Sequence, residues 1–205
     1  MTKRTIIAFI GNDGTGKSTQ VKKLLSFLKK KKYSAKMIHL DHFFLKVPEI
    51  LGKNKYFSNK DEVNQSIKLF KHFAGNKIFR LVFPIIIYID FLFFKIILSK
   101  TKVIILDRYF YDKIIKYMDL NVFASFLSDI FFRITLRPSY TFYLDVDSRI
   151  SLERKGEMNI SILNRRRKLY ERFNAKYHFT KINANEEQET VFSSVLNKLK
   201  LEKFN

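Results

Sequence analysis

The sequence predicts an α/β fold, three layers with a five-stranded parallel sheet between helices, on three observations. Short, continuously apolar runs at 5–10, 103–106 and 141–144 alternate with stretches of helical periodicity, the pattern of strands buried on both faces. The first run opens directly into a glycine-rich segment, Gly11-Asn12-Asp13-Gly14-Thr15-Gly16-Lys17-Ser18, and then into a strongly helical stretch. Gly11, Asp41, Asp107 and Asp145 fall at the carboxyl ends of strand-like runs, where open parallel sheets bind their ligands.

Taken in order, residues 5–10 read as the first strand. The following helix reaches about residue 30, with Val21, Leu24, Leu25 and Leu28 on one face. Residues 35–40 read as the second strand and 41–60 as irregular chain. Residues 61–73 and 78–98 read as helices broken at Gly75-Asn76. The third strand, 103–106, ends in Asp107. Helices are expected around 112–118 and 122–132, and Arg137-Pro138 marks a break before the fourth strand at 141–144. Residues 179–182 read as a short fifth strand, and a closing helix turns Val191, Val195, Leu196 and Leu199 inward. No repeat, linker or low-complexity tract divides the chain, so residues 1–205 are expected to form a single domain, with a basic helical lid over about 150–172.

A hydrophobic content of 46% is ample for one core. The absence of cysteine excludes disulfides and cysteine-ligated metal centres. The first strand starts within a few residues of Met1, which leaves no room for a signal peptide, so a cytoplasmic location is expected. The net charge of +20 fits polyanionic partners or a lysine-rich compositional bias; the lysines are scattered, and bias is favoured. Residues 81–99 are almost wholly apolar, but Pro84, Asp90 and Lys95 interrupt them; they read as a buried helix rather than a transmembrane segment.

The chemistry starts from residues 11–18, a complete G-x-x-x-x-G-K-[ST] phosphate-binding loop between strand and helix, which makes the domain one of P-loop NTPase type. Glycines let the backbone close on phosphates, and the loop N–H groups with the helix N-terminus face the anion. Gly11, Asn12, Asp13, Gly14, Thr15, Gly16, Lys17, Ser18 and Thr19 are therefore the expected ATP-binding set. Lys17 serves the β- and γ-phosphates and Ser18 holds Mg²⁺. Lys17 is expected to face ligand rather than core. Asp107, at a strand end, suits Mg²⁺ directly or through water, or proton acceptance; Arg108 beside it suits a bidentate phosphoryl clamp. The basic segment 154–172 carries Arg154, Lys155 and the run Arg165-Arg166-Arg167-Lys168. On a helix, Arg166, Tyr170, Phe173 and Tyr177 share one side, putting Arg166 near the packed face and Lys168 towards solvent. Such a segment would neutralise charge on a transferring phosphoryl group, or else be a solvated basic helix.

With these residues in view the chain resembles the thymidylate kinase family. The resemblance rests on FIGNDGTGKSTQ at 9–20, VIILDRY at 103–109 and LDVDSRISLERKGE at 144–157, in order and at family spacing over most of the chain. It implies ATP-dependent phosphorylation of a nucleoside monophosphate, most readily dTMP. Lys17 and Ser18 would hold ATP and Mg²⁺, Asp13 would lie near the acceptor sugar, Arg108 would bridge the phosphates and Arg154 would belong to the lid. Asn183, in Asn183-Ala184-Asn185, resembles the adenine-side loop.

The acceptor side departs from the family. His39-Leu40-Asp41-His42-Phe43 replaces the usual Arg-Glu-Pro motif, and no arginine lies between Phe83 and Leu106, where one for the acceptor phosphate is expected. Phe110-Tyr111-Asp112-Lys113 replaces the residues that usually follow the DRY motif. A missing guanidinium removes charge-assisted bonds of about 1.5–3 kcal/mol each. Asp41, Arg80, Lys95, Tyr109 and Arg166, with Asp13 and Arg108, are the acceptor-side candidates, and a different small phosphorylated or hydroxylated acceptor is the alternative. A GTPase is disfavoured, since no Asn-Lys-x-Asp motif occurs. A nucleic-acid or membrane-surface protein would use the charge, but no recognisable motif supports specific nucleic-acid binding. The partner is thus a small nucleotide substrate; monomer or homodimer stays open.

Overall fold

The computed structural model describes residues 4–40, 89, 102–120, 125–156 and 158–200. Asp41, Arg80 and Lys95, the irregular 41–60 stretch and the helices expected at 61–73 and 78–98 lie outside these residues, apart from Ile89, which is helical and exposed. Among the described residues no helix is long and apolar enough to cross a membrane.

Five strands, β1 (Thr5–Ile10), β2 (Ala35–His39), β3 (Val103–Asp107), β4 (Tyr140–Asp145) and β5 (Thr180–Asn183), form one sheet in the order β2-β3-β1-β4-β5. Every pairing is parallel. β1 and β3, the central apolar runs, are buried at every position, as strands covered on both faces must be. Their side chains alternate between two cores. Ile6, Ala8 and Ile10 join one core with Ile104, Leu106, Phe132, Tyr170 and Phe173, while Ile7 and Phe9 join the other with Leu24, Phe142, Val191 and Val195.

The described helices are α1 (Lys17–Lys30), α2 (Phe110–Asp119), α3 (Ser125–Ile134), α4 (Ser148–Lys155), α5 (Ile160–Tyr177) and α6 (Gln188–Lys198). α1 and α6 cover one face of the sheet through Val21, Leu24, Leu28, Val191 and Val195. α2, α3 and α5 cover the other through Ile114, Ile115, Phe131, Phe132, Tyr170 and Phe173. This is the expected three-layer α/β/α domain. An aromatic stack seats α5: the Phe132 ring lies 4.3 Å from Phe173, 4.4 Å from Tyr111 and 4.6 Å from Tyr177. The basic segment divides into α4 and α5 because Gly156 adopts a left-handed conformation (φ 65°) that caps α4 and Asn159 caps the start of α5 by accepting from Ser161 N. On α5, Arg166 is buried and Lys168 exposed, as the helical spacing predicts.

Parallel pairing aligns the strand ends. His39 pairs with Asp107, Asp107 with Phe9, and Asp145 with Asn183. The residues that follow β1, β3, β4 and β5 therefore meet at one edge of the sheet.

Candidate active site

The loop after β1 keeps the shape its glycines allow. Gly14 and Gly16 are left-handed, at φ 81° and 83°. A Cβ on Gly14 would stand 2.5 Å from Ser151 O and one on Gly11 2.6 Å from Leu144 O, so α4 and the end of β4 close on the bare backbone. Ser151 Oγ donates to Asp13 O. Thr15 Oγ1 donates to Asn12 O at 2.9 Å, and Asn12 Nδ2 to Leu163 O at 2.9 Å, tying the loop to α5.

Lys17 is only 5% exposed, yet it belongs to neither apolar core and lines the cavity described below. Its ammonium is gathered in by its own loop: it donates to Gly11 O at 2.8 Å and to Asn12 O, with Thr15 Oγ1 at 3.2 Å. Burial pulls the Lys17 pKa down to about 8; Arg108 pulls the same way, while Asp13, Asp112 and Asp107 oppose it. The lysine must be protonated to pair with phosphates. We therefore expect kcat/KM for ATP to fall above a pKa of about 8. Bound phosphates favour the charged form, so the basic limb of kcat should lie at higher pH. Coincident limbs in the two profiles would contradict this assignment.

Arg108 follows β3 with a left-handed backbone (φ 70°), a strained conformation for a residue with a side chain. The turn aims its guanidinium at Asp13, to which NH2 donates. Lys155 Nζ and Arg166 NH1 lie 3.8 and 3.9 Å from the same carboxylate. Burial pushes the Asp13 carboxyl up, but the combined charges of Arg108, Lys17 and Lys155 hold it well below the usual range.

These groups open onto a cavity of about 780 Å³, within the size range of nucleotide-sized ligand pockets. Residues 13–20 line it with Arg108, Arg154, Lys155, Ala184, residues 186–189 and Val191. Its charge is divided. Lys17, Arg108, Arg154 and Lys155 supply its cations, and Glu186, Glu187 and Glu189 come from the stretch after β5. Arg154 NH1 donates to Ala184 O at 3.0 Å and so joins α4 to that stretch.

Of the expected site residues, the structure brings Asp13, Gly14, Thr15, Gly16, Lys17, Ser18, Thr19, Arg108 and Arg154 onto this cavity. Gly11 and Asn12, the first two loop residues, do not line it. Asn183 does not line the cavity but donates to its lining residue Glu186, at Oε1, at 3.1 Å and accepts from Asn185 N at 3.2 Å. Tyr109 is 1% exposed, packed against Phe110 and Tyr111 with its hydroxyl donating to Leu136 O, and does not line the cavity. Asp107 sits beside the cavity. His39 Nδ1 is 3.1 Å from its Oδ2, while its buried Oδ1 has no hydrogen-bond partner among the described residues. Arg166 is held in a fork with Arg165 on the buried Asp119, at 3.0 and 2.6 Å. Arg167 grips Asp145 at 2.7 and 3.0 Å. Sequence reasoning missed Lys155, Gln20 and the acidic stretch 186–189 as lining residues; the last carries no motif, and only the pairing of β5 with β4 brings it across.

A complete phosphate loop, a following helix and a strand-end Asp-Arg pair on a parallel sheet define a P-loop phosphotransferase. A family model described as thymidylate kinase matches residues 9–195, and the chain belongs to the thymidylate kinase family, whose members are nucleoside monophosphate kinases. It is 24% identical over 185 residues to a probable thymidylate kinase of Sulfurisphaera tokodaii, spanning 87% of this chain and 86% of that protein. Among solved structures it is similar to the thymidylate kinase of Ehrlichia chaffeensis, with a TM-score of 0.57 at 20% identity over 95% of this chain and 98% of that one. It is equally similar, at TM-score 0.57 and 17% identity over the same shares, to a deoxyadenosine kinase of M. mycoides bound to its products dCMP and a flexible dCDP. At these identities the two structures speak for the fold alone.

Proposed function

We propose that the protein transfers the γ-phosphoryl group of ATP to a nucleoside monophosphate, with dTMP the first candidate, giving dTDP and ADP. The observation that carries this reading is the cavity's lining: a complete phosphate loop with Lys17, Arg108, Arg154 and Lys155, closed by the stretch after β5 to which Arg154 is bonded. ATP would lie with its phosphates on residues 13–18 and its base towards residues 184–189.

Lys17 would leave its loop carbonyls for the β- and γ-phosphates, and Arg108 would bridge the transferring group beside it. Arg154 and Lys155 would offset the charge that develops on the phosphoryl oxygens. The residues present also fit Mg²⁺. Ser18 is exposed at the start of α1, and the buried Oδ1 of Asp107, without a hydrogen-bond partner among the described residues, is a carboxylate oxygen suited to a donor or cation. When bound there, Mg²⁺ supplies charge neutralisation at the phosphates. The reading includes a cytoplasmic location, where both nucleotides are available, and leaves the choice between monomer and homodimer to solution measurement.

A second reading keeps the donor half and changes the acceptor to a nucleoside hydroxyl. It is favoured by the absence of arginine between Phe83 and Leu106, where a guanidinium for an acceptor phosphate is expected. ADP release measured with dTMP, dUMP, UMP, CMP and the matching nucleosides, against a no-acceptor control, separates the two. The proposal expects stimulation by a monophosphate, dTMP foremost, with KM in the micromolar-to-millimolar range usual for enzymes. Stimulation by nucleosides alone would replace it with the second reading.

A further inference from the structure

We propose that Asp112 is a positioning residue of the donor site, a buried carboxylate that locks the phosphate loop, the Arg108 turn and helix α5 in register with one another. The inference rests on the phosphoryl-transfer reading for its effect on rate. The geometry stands on three hydrogen bonds from three parts of the chain. Gly11 N donates to Asp112 Oδ1 at 2.9 Å, Tyr109 N donates to Oδ2 at 2.8 Å, and the Tyr170 hydroxyl donates to Oδ1 at 2.5 Å.

Each donor belongs to a different piece of catalytic apparatus. Gly11 begins the phosphate loop. Tyr109 follows the strained Arg108, so holding its N–H fixes the turn that aims the guanidinium. Tyr170 lies on α5, one turn beyond Arg166. The Tyr170 hydroxyl also lies 3.1 Å from Gly11 O, the carbonyl that accepts from Lys17 at 2.8 Å. Asp112 therefore holds the N–H of the first loop residue while the Tyr170 hydroxyl, whose single proton goes to Asp112 at the shorter distance, stands within reach of that residue's C=O. That residue has little freedom to adapt, because Leu144 O leaves no room at its Cα.

A carboxylate buried to 5% exposure is costly, the more so near a site for phosphates. Burial pushes the Asp112 carboxyl up, while Lys17, Arg108, the Tyr170 hydroxyl and Gly11 N pull the other way. A helix cap alone would not need this arrangement. Asp112 is the third residue of α2 and bonds back to Tyr109 N, which is the helical half of a capping box. The bonds to Gly11 and Tyr170 lie outside any cap. They also give a role to Asp112, one of the residues standing where the family's usual sequence after DRY is lost.

The test uses Asp112→Asn, Tyr170→Phe and the double variant. Asn keeps the shape of the side chain but cannot accept from both Gly11 and Tyr109. Phe keeps the stack on Tyr143, whose ring lies 5.2 Å away at 12°. The measurements are kcat and KM for ATP at saturating acceptor, thermal midpoints, and hydrogen exchange of peptides covering 11–18, 160–177 and 188–198. We expect kcat to fall by about 10²-fold in Asp112→Asn, the scale of a misplaced catalytic group, with a smaller change in KM. Tyr170→Phe should lose less, and the double variant should be no worse than Asp112→Asn alone, because one linkage is broken in both. Exchange should rise in 11–18 and 160–177 in either single variant and stay unchanged in 188–198. A lowered midpoint with wild-type kcat, additive losses, or exchange that rises evenly across all three peptides would reduce Asp112 to a helix cap and overturn the proposal. If the unmodified protein phosphorylates no acceptor, the functional reading fails, and the exchange pattern still decides the positioning claim.

Discussion

Lys17→Ala is expected to abolish measurable ADP formation, a loss on the order of 10³-fold, the upper end of what removing one preorganised charge-stabilising donor costs. Lys17 is the basic residue of the phosphate loop itself and lines the cavity alongside Arg108. Its burial changes what the variant must be checked for. The ammonium bonds Gly11 O and Asn12 O, so alanine leaves two loop carbonyls without that donor. Against that loss, the variant no longer buries a charge whose pKa burial has already lowered to about 8. The two effects oppose, and the domain should stay folded, since Lys17 is no part of either apolar core. Steady-state turnover and a thermal midpoint on the same preparation decide it. Unchanged ADP formation would remove Lys17 from the chemistry, and lost activity explained entirely by unfolding would leave its role structural.

Asp107→Asn is expected to lower kcat by at least about 10²-fold while leaving the midpoint within a few degrees of the parent. The substitution keeps the side chain's shape and removes its charge. His39 holds one oxygen at 3.1 Å, and the other is buried with no hydrogen-bond partner among the described residues. A buried carboxylate oxygen in that state is suited to a cation, a metal-bound water or an acceptor proton, none of which an amide can replace. The competing explanation is that the His39–Asp107 pair joins β2 to β3 at their ends. In that case the variant would lose stability and keep its rate.

The parts of this molecule that were legible in the sequence are those written in local pattern. Residues 11–18 carry four constrained positions in eight, and the buried strands β1 and β3 carry the apolar runs 6–10 and 103–106. Helical spacing alone separated Arg166 from Lys168. What escaped was decided by contacts between distant parts of the chain. The Gly11–Asp112 bond joins residues 101 apart, and Tyr170 meets Asp112 across 58. No spacing rule marks such a pair. Tyr109, grouped with the acceptor residues because it adjoins Arg108, turns into the core because its backbone is extended where that of Arg108 is left-handed. The burial of Lys17 was hidden for a similar reason: loop carbonyls that converge on a side chain leave no trace in residue type.

The central claim is that the acceptor is a nucleoside monophosphate and the donor is ATP. The most direct measurement follows the phosphorus nuclei by NMR while the protein acts on ATP, Mg²⁺ and dTMP. The account predicts loss of the dTMP monophosphate resonance and of the ATP β-resonance, with diphosphate resonances of dTDP and ADP growing in equal amounts. ATP consumed to ADP and inorganic phosphate with dTMP intact, or dTMP left intact while an added nucleoside is converted to its monophosphate as ATP becomes ADP, would contradict it.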